Sequence, residues 1–139
     1  IKVVRVKVES HGAEGTPMTT KDYEDSCELL KDKYNNEKCI WHKPYFEFHC
    51  KIDSTDEPIL IMEKDVSKYE GAALSYNLCS QSKKPLLTIR VYDGFNNAQD
   101  YKDKVMNELK EKGYVFESKI QQEYSVFDSN SDLDKDWIF

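Results

Sequence analysis

Long hydrophobic runs are missing from this chain of 139 residues. The longest are Ile59-Leu60-Ile61-Met62 and Ala72-Ala73-Leu74, far short of the roughly 20 apolar residues that cross a bilayer as a helix. Membrane insertion is therefore not expected. Arginine is scarce too: Arg5 and Arg90 alone occur, and 26 acidic residues outweigh 20 basic ones for a net charge of −6. Duplex-binding proteins draw most of their affinity from a basic stripe that neutralises phosphates, so duplex nucleic acid is not an expected partner. An anionic membrane surface is disfavoured for the same reason. The field suits a cationic ligand or a basic protein better.

Several chemical signatures are also missing. There is no Gly-x-Ser-x-Gly elbow, no Gly-rich phosphate loop, no Cys-x-x-Cys pair and no Asn-x-Ser/Thr sequon, which removes the usual sequence signals of a serine hydrolase, a nucleotide site, a zinc finger and N-glycosylation. With 5 Gly and 4 Pro, but 39% hydrophobic residues and 17 aromatics, the chain is too apolar for disorder. Its length fits a single domain over residues 1–139.

Four cysteines are present, Cys27, Cys39, Cys50 and Cys79. An even number at irregular spacing in a small domain fits two disulfides and an oxidising compartment. A chain beginning at Ile1 without Met fits a cleaved signal peptide. Secretion to an extracellular location is therefore expected.

The apolar pattern predicts a strand over Ile1 to Glu9 and a helix from about Thr20 to Tyr34, with Tyr23, Cys27, Leu30 and Tyr34 inward. After Pro44 comes the clearest strand: Phe46, Phe48, Cys50 and Ile52 alternate with Tyr45, Glu47, His49 and Lys51. Ile59 to Glu63 reads as its antiparallel partner. Ala72 to Cys79 fits a strand or a short helix, and Leu86 to Tyr92 a strand with Leu87, Ile89 and Val91 buried. A second helix is expected from roughly Asn97 to Lys112, with Ala98, Tyr101, Val105 and Leu109 inward and Gly113 as its stop. Tyr114 to Phe127 is expected to be extended, with an irregularity near Gln121-Gln122. The order β-α-β-β-(β)-β-α-β describes an α+β fold: an antiparallel sheet of about five or six strands with two helices packed on one face. Cys27 and Cys50 both fall on inward faces, so Cys27–Cys50 with Cys39–Cys79 is the preferred one of three connectivities.

Three groups of residues could carry function. Tyr45, Glu47, His49 and Lys51 share one face of one strand, and Arg90 and Tyr92 would share it from a neighbour. A base, an acid and a cation are the requirements of acid–base cleavage. These residue types resemble those that fungal guanyl-specific ribonucleases display on their sheet, which would imply a small secreted hydrolase using His49, Glu47, Arg90 and Tyr45. Polar residues are also ordinary on the outer face of a half-buried strand. Secondly, Trp41, His42, Tyr45 and Tyr92 are candidates for contacts with a protein partner or small ligand. Thirdly, Asp128, Asn130, Asp132 and Asp134 have a spacing similar to calcium loops. Leu133 stands where such a loop needs Gly, and Phe139 where it needs Glu, so residues 128–139 are expected to be an acidic solvated segment. No cofactor or metal is expected. The leading expectation is a secreted, non-enzymatic binding protein of the type that serves as a host-directed effector or immune modulator; the ribonuclease-type hydrolase is the alternative.

Overall fold

A computed structural model describes residues 7–10, 16–34, 43–54, 59–75 and 84–128. The elements follow in the order β1 (Lys7–Ser10), α1 (Thr20–Tyr34), β2 (Tyr45–Ser54), α2 (Ile59–Val66), β3 (Ala72–Ser75), β4 (Leu86–Val91), α3 (Phe95–Glu111) and β5 (Val115–Asp128). The class is α+β, as the apolar pattern predicts. The five strands form one sheet in the order β1-β5-β2-β4-β3, and every neighbouring pair is antiparallel.

Alternation in β2 decides where the core sits. Phe46, Phe48, Cys50 and Ile52 point to one face, where they meet Leu87 and Ile89 of β4, Leu74 of β3, and Ala98, Val105, Met106 and Leu109 of α3. Burying each such aliphatic or aromatic side chain contributes roughly 1.5–3 kcal/mol. Phe46 stacks on Tyr124 of β5 with ring centroids 4.6 Å apart and leans on Phe95 at 5.6 Å. Among the described residues there are three helices instead of the expected two. Those in contact with the Phe46 face are α2 and α3, whereas α1 is tethered at the Pro44 end of β2, where the Tyr23 hydroxyl donates to the Pro44 carbonyl at 2.7 Å.

The additional helix corrects the strand expected over Ile59 to Glu63. Met62 and Val66 are buried in the core while Leu60 is 78% exposed, so burial follows the helical spacing. Periodicity could not separate the two choices in so short an apolar run. The irregularity expected at Gln121-Gln122 lies elsewhere: Cys50 pairs with Ile120 and Ile52 with Phe116. Three residues of β5 (117–119) thus oppose Lys51 alone, a bulge beside which Lys84 bridges Asp53 and Glu117. Helix α3 starts two residues earlier than expected, its first turn pinned by Phe95 N–H and Asn96 N–H donating to the Pro17 and Met18 carbonyls at 2.8 and 2.9 Å. It ends where Gly113 adopts φ +100°, as expected of that glycine.

The expected Cys27–Cys50 bridge is not formed; both residues are free thiols. Cys50 faces α3, its Sγ 3.6 Å from Met106 Sδ. Cys27 lies on α1 one turn from Tyr23, which is anchored at Pro44. Cys50 lies six residue steps along the strand from Pro44, roughly 20 Å of chain, whereas a disulfide needs Cα atoms within about 7 Å. Cys39 and Cys79 lie outside the described residues, as does most of the strand expected at Ile1 to Glu9.

Candidate functional site

The second face of the sheet carries the odd-numbered row of β2. Register places Glu47 opposite Arg90 of β4 and opposite Glu123 of β5, and His49 opposite Thr88 and Gln121. Four of the residues singled out from sequence, Tyr45, Glu47, His49 and Arg90, are therefore brought together, with Thr88 and Glu123 added by tertiary pairing. This face is not the ordinary solvated one. Tyr45 is 0% exposed, Glu47 2% and Arg90 8%.

Such burial requires that the charges compensate one another, and they do. Arg90 donates from Nε and Nη2 to Glu47 Oε2 at 3.1 and 2.8 Å. Its guanidinium lies 4.1 Å from the centroid of the Tyr45 ring, a cation–π contact strengthened by desolvation. Tyr45 in turn meets Tyr92 edge-on at 5.5 Å. His49 Nε2 stands 2.8 Å from Glu47 Oε1 and 3.5 Å from Glu123 Oε2, while Nδ1 lies 3.0 Å from Thr88 Oγ1. Burial pushes the His49 pKa down, but the hydrogen bond and charge of Glu47, then those of Glu123, outweigh it and hold it above the ordinary histidine range. For Arg90, burial likewise works against the charge, and Tyr45 and Glu47 more than offset it. Glu47, His49 and Glu123 each present one ligand atom within 4.8 Å of the others.

These groups form the floor of a cleft of about 980 Å³. One wall is β3 with its approach, Glu70 to Ser75; Leu86, Val91, Tyr92, Asp93, Asn97 and Tyr101 complete the lining. Gly71 sets that wall against β4. It adopts φ +77°, Arg90 N–H donates to its carbonyl at 2.8 Å, and a Cβ there would sit 2.2 Å from the Arg90 carbonyl oxygen. The Tyr101 hydroxyl donates to the Glu70 carbonyl at 2.7 Å, joining α3 to the wall. At the far end Asp93 accepts from Gly94 N–H at 2.6 Å, Thr20 Oγ1 at 2.9 Å and Asn97 Nδ2 at 3.1 Å. Burial raises the Asp93 pKa, and these three donors more than reverse it, so Asp93 keeps its negative charge in the cleft at neutral pH.

Of the residues named as binding candidates, Tyr92 is exposed at the cleft and Tyr45 is enclosed beneath Arg90. Trp41 and His42 lie outside the described residues. So do Asn130, Asp132 and Asp134 of the calcium-like segment, whereas Asp128 ends β5. Glu123 and Thr88 were missed from sequence. Their only signal is period-two alternation, which puts Thr88 on the Arg90 side of β4 and Glu123 opposite Tyr124. No protein-family model, curated protein or solved structure matches the chain, so the functional reading rests on the geometry of this cleft.

Proposed function

We propose that the chain is a non-enzymatic binding protein that holds a small organic ligand in the cleft over β4. The observation that carries this reading is the cleft itself. Its volume of about 980 Å³ lies at the upper end of ligand sites, which combine apolar walls with a few placed polar groups. Ala73 and Leu86, on the Arg90 side of β3 and β4, supply the apolar part, and Tyr92 and Tyr101 supply flat aromatic surface. Among the charged lining residues, Glu47, Glu70, Asp93 and Glu123 outnumber Arg90 and His49, which favours a cationic ligand over an anionic one. A secreted setting is compatible with this reading, and the protein-partner version of it would use the exposed edge at Tyr92.

The geometry gives less support to a ribonuclease-type hydrolase. A general base must reach the proton it removes and a cation must reach the developing charge. Here Glu47 is buried with its two oxygens directed at His49 and Arg90, and Arg90 is held under the sheet surface against Tyr45.

Calorimetric titration with a panel of aromatic amines and aromatic carboxylates tests the proposal. Ala73→Phe, which fills the cleft from β3, should abolish binding of any amine that binds the wild type. Binding of the same probe with unchanged affinity to Ala73→Phe would place it elsewhere and overturn the reading. RNA cleavage by the wild type that disappears in His49→Ala would replace it with the hydrolase.

A further inference from the structure

We propose that Glu47 Oε1, His49 Nε2 and Glu123 Oε2 together form a binding site for a divalent first-row transition ion at the floor of the cleft. This goes beyond the small-ligand reading. The ion needs only these side chains and its test uses no organic ligand, so either proposal can fail alone.

Three ligand atoms from two strands converge at one point. Two carboxylates from different strands, Glu47 and Glu123, face each other across β2 and β5 in direct register. Both are largely withdrawn from water. Arg90 satisfies Glu47 Oε2, but Glu47 Oε1 and Glu123 Oε2 both point at one nitrogen, His49 Nε2, at 2.8 and 3.5 Å. Each of the three residues thus offers one ligand atom, and these atoms lie within 4.8 Å of one another. An ion placed among the three atoms would be held by all of them. Ligand atoms bound at about 2.0–2.2 Å from such an ion sit roughly 2.9–3.4 Å apart, close to the 2.8 and 3.5 Å that separate His49 Nε2 from the two carboxylate oxygens.

The surrounding groups fit the same role. Thr88 Oγ1 lies 3.0 Å from His49 Nδ1, so it can accept the Nδ1 proton and turn the Nε2 lone pair toward the carboxylates. Metal-bound histidines are commonly oriented in this way. Arg90 anchors Glu47 through its other oxygen, the usual outer-shell support of a ligating carboxylate. One imidazole nitrogen with two carboxylate oxygens suits Zn²⁺, Mn²⁺ or Fe²⁺ better than a thiophilic ion. All three residues line the cleft, which leaves the remaining coordination positions facing it.

The full chain, freed of metal by chelator dialysis, should bind one equivalent of Zn²⁺ in a calorimetric titration. Glu123→Gln preserves shape and should weaken binding at least 100-fold, and His49→Gln should do the same, each with an unchanged far-ultraviolet circular dichroism spectrum. Thr88→Val, which touches no ligand atom on the ion, should weaken it about 10–100-fold. Co²⁺ should give visible bands without thiolate charge transfer. Absence of Zn²⁺ binding by the wild type, equal affinity in wild type and Glu123→Gln, or a thiolate band with Co²⁺ would each overturn the proposal.

Discussion

Replacing Arg90 by Met removes the guanidinium and keeps much of the side-chain volume against Tyr45. Glu47, 2% exposed, then loses the two donors at 3.1 and 2.8 Å on its Oε2. Breaking a buried ion pair from one side costs about 3–5 kcal/mol, because Glu47 keeps His49 Nε2 at 2.8 Å on Oε1 but has lost the Arg90 donors that compensated its buried charge. For a urea slope of about 2 kcal/mol/M, the unfolding midpoint should fall by roughly 2 M. That loss is a large share of the 5–15 kcal/mol that keeps a typical domain folded, so the milder Arg90→Lys should be measured beside it. Lysine keeps the charge but cannot present two N–H groups and a flat face together, and an intermediate loss is expected. Adding Glu47→Gln to Arg90→Met should restore part of the stability, because the buried charge is gone. The coupling in this double-mutant cycle should exceed about 1 kcal/mol. A loss below about 1 kcal/mol for Arg90→Met, or additivity in the cycle, would show that the pair is hydrated and that the buried network described here is wrong.

Three further outcomes are expected. Met62→Ala should cost about 2–5 kcal/mol while Leu60→Ala stays within about 0.5 kcal/mol; urea unfolding of the two variants would show equal losses if residues 59–66 were a strand, where positions 60 and 62 share a face. Burial pushes the Cys50 thiol up to about 11 and leaves it no exposed surface, so iodoacetamide at pH 8 should label Cys27 well before Cys50 in the native protein, as peptide mass mapping would reveal; equal rates would contradict the placement of Cys50 against Met106. The Tyr114 hydroxyl at 2.7 Å, aided by Lys112 at 3.1 Å, holds the Asp65 carboxyl below its usual range. A depressed folded pKa adds stability above the unfolded value of about 3.9, and that stability is lost as pH falls through the folded pKa. Asp65→Asn should accordingly flatten the acid limb of the stability profile and leave a smaller difference from wild type at low pH than at pH 7.

Much of the scaffold was legible because it is locally encoded. The stripe Tyr23, Cys27, Leu30 and Tyr34 marks α1 with the bounds Thr20–Tyr34 that the structure shows, and strict alternation after Pro44 marks β2. Gly113 marks the end of α3 through its positive φ. Errors fell where local information is degenerate. Ile59 to Glu63 is too short for its period to choose between helix and strand. The inward positions of Cys27 and Cys50 say that each is sheltered, not that they lie near one another.

The candidate site divides in the same way. Sequence alone determined that Tyr45, Glu47, His49 and Lys51 share a face, because side-chain direction alternates along any strand. It also determined an acidic chain without a basic stripe, a property of composition. Only the tertiary structure decided that Tyr45 and Glu47 on this face are buried, that Glu123 and Thr88 join it, and that Arg90 is spent on Glu47. Those facts depend on strand order and register between segments more than 30 residues apart, such as Glu47 with Arg90 at a separation of 43. Register is set by how a whole row of side chains fits the core, since a slip of one residue would turn Phe46 and Phe48 out of it. No short stretch of sequence contains that fit.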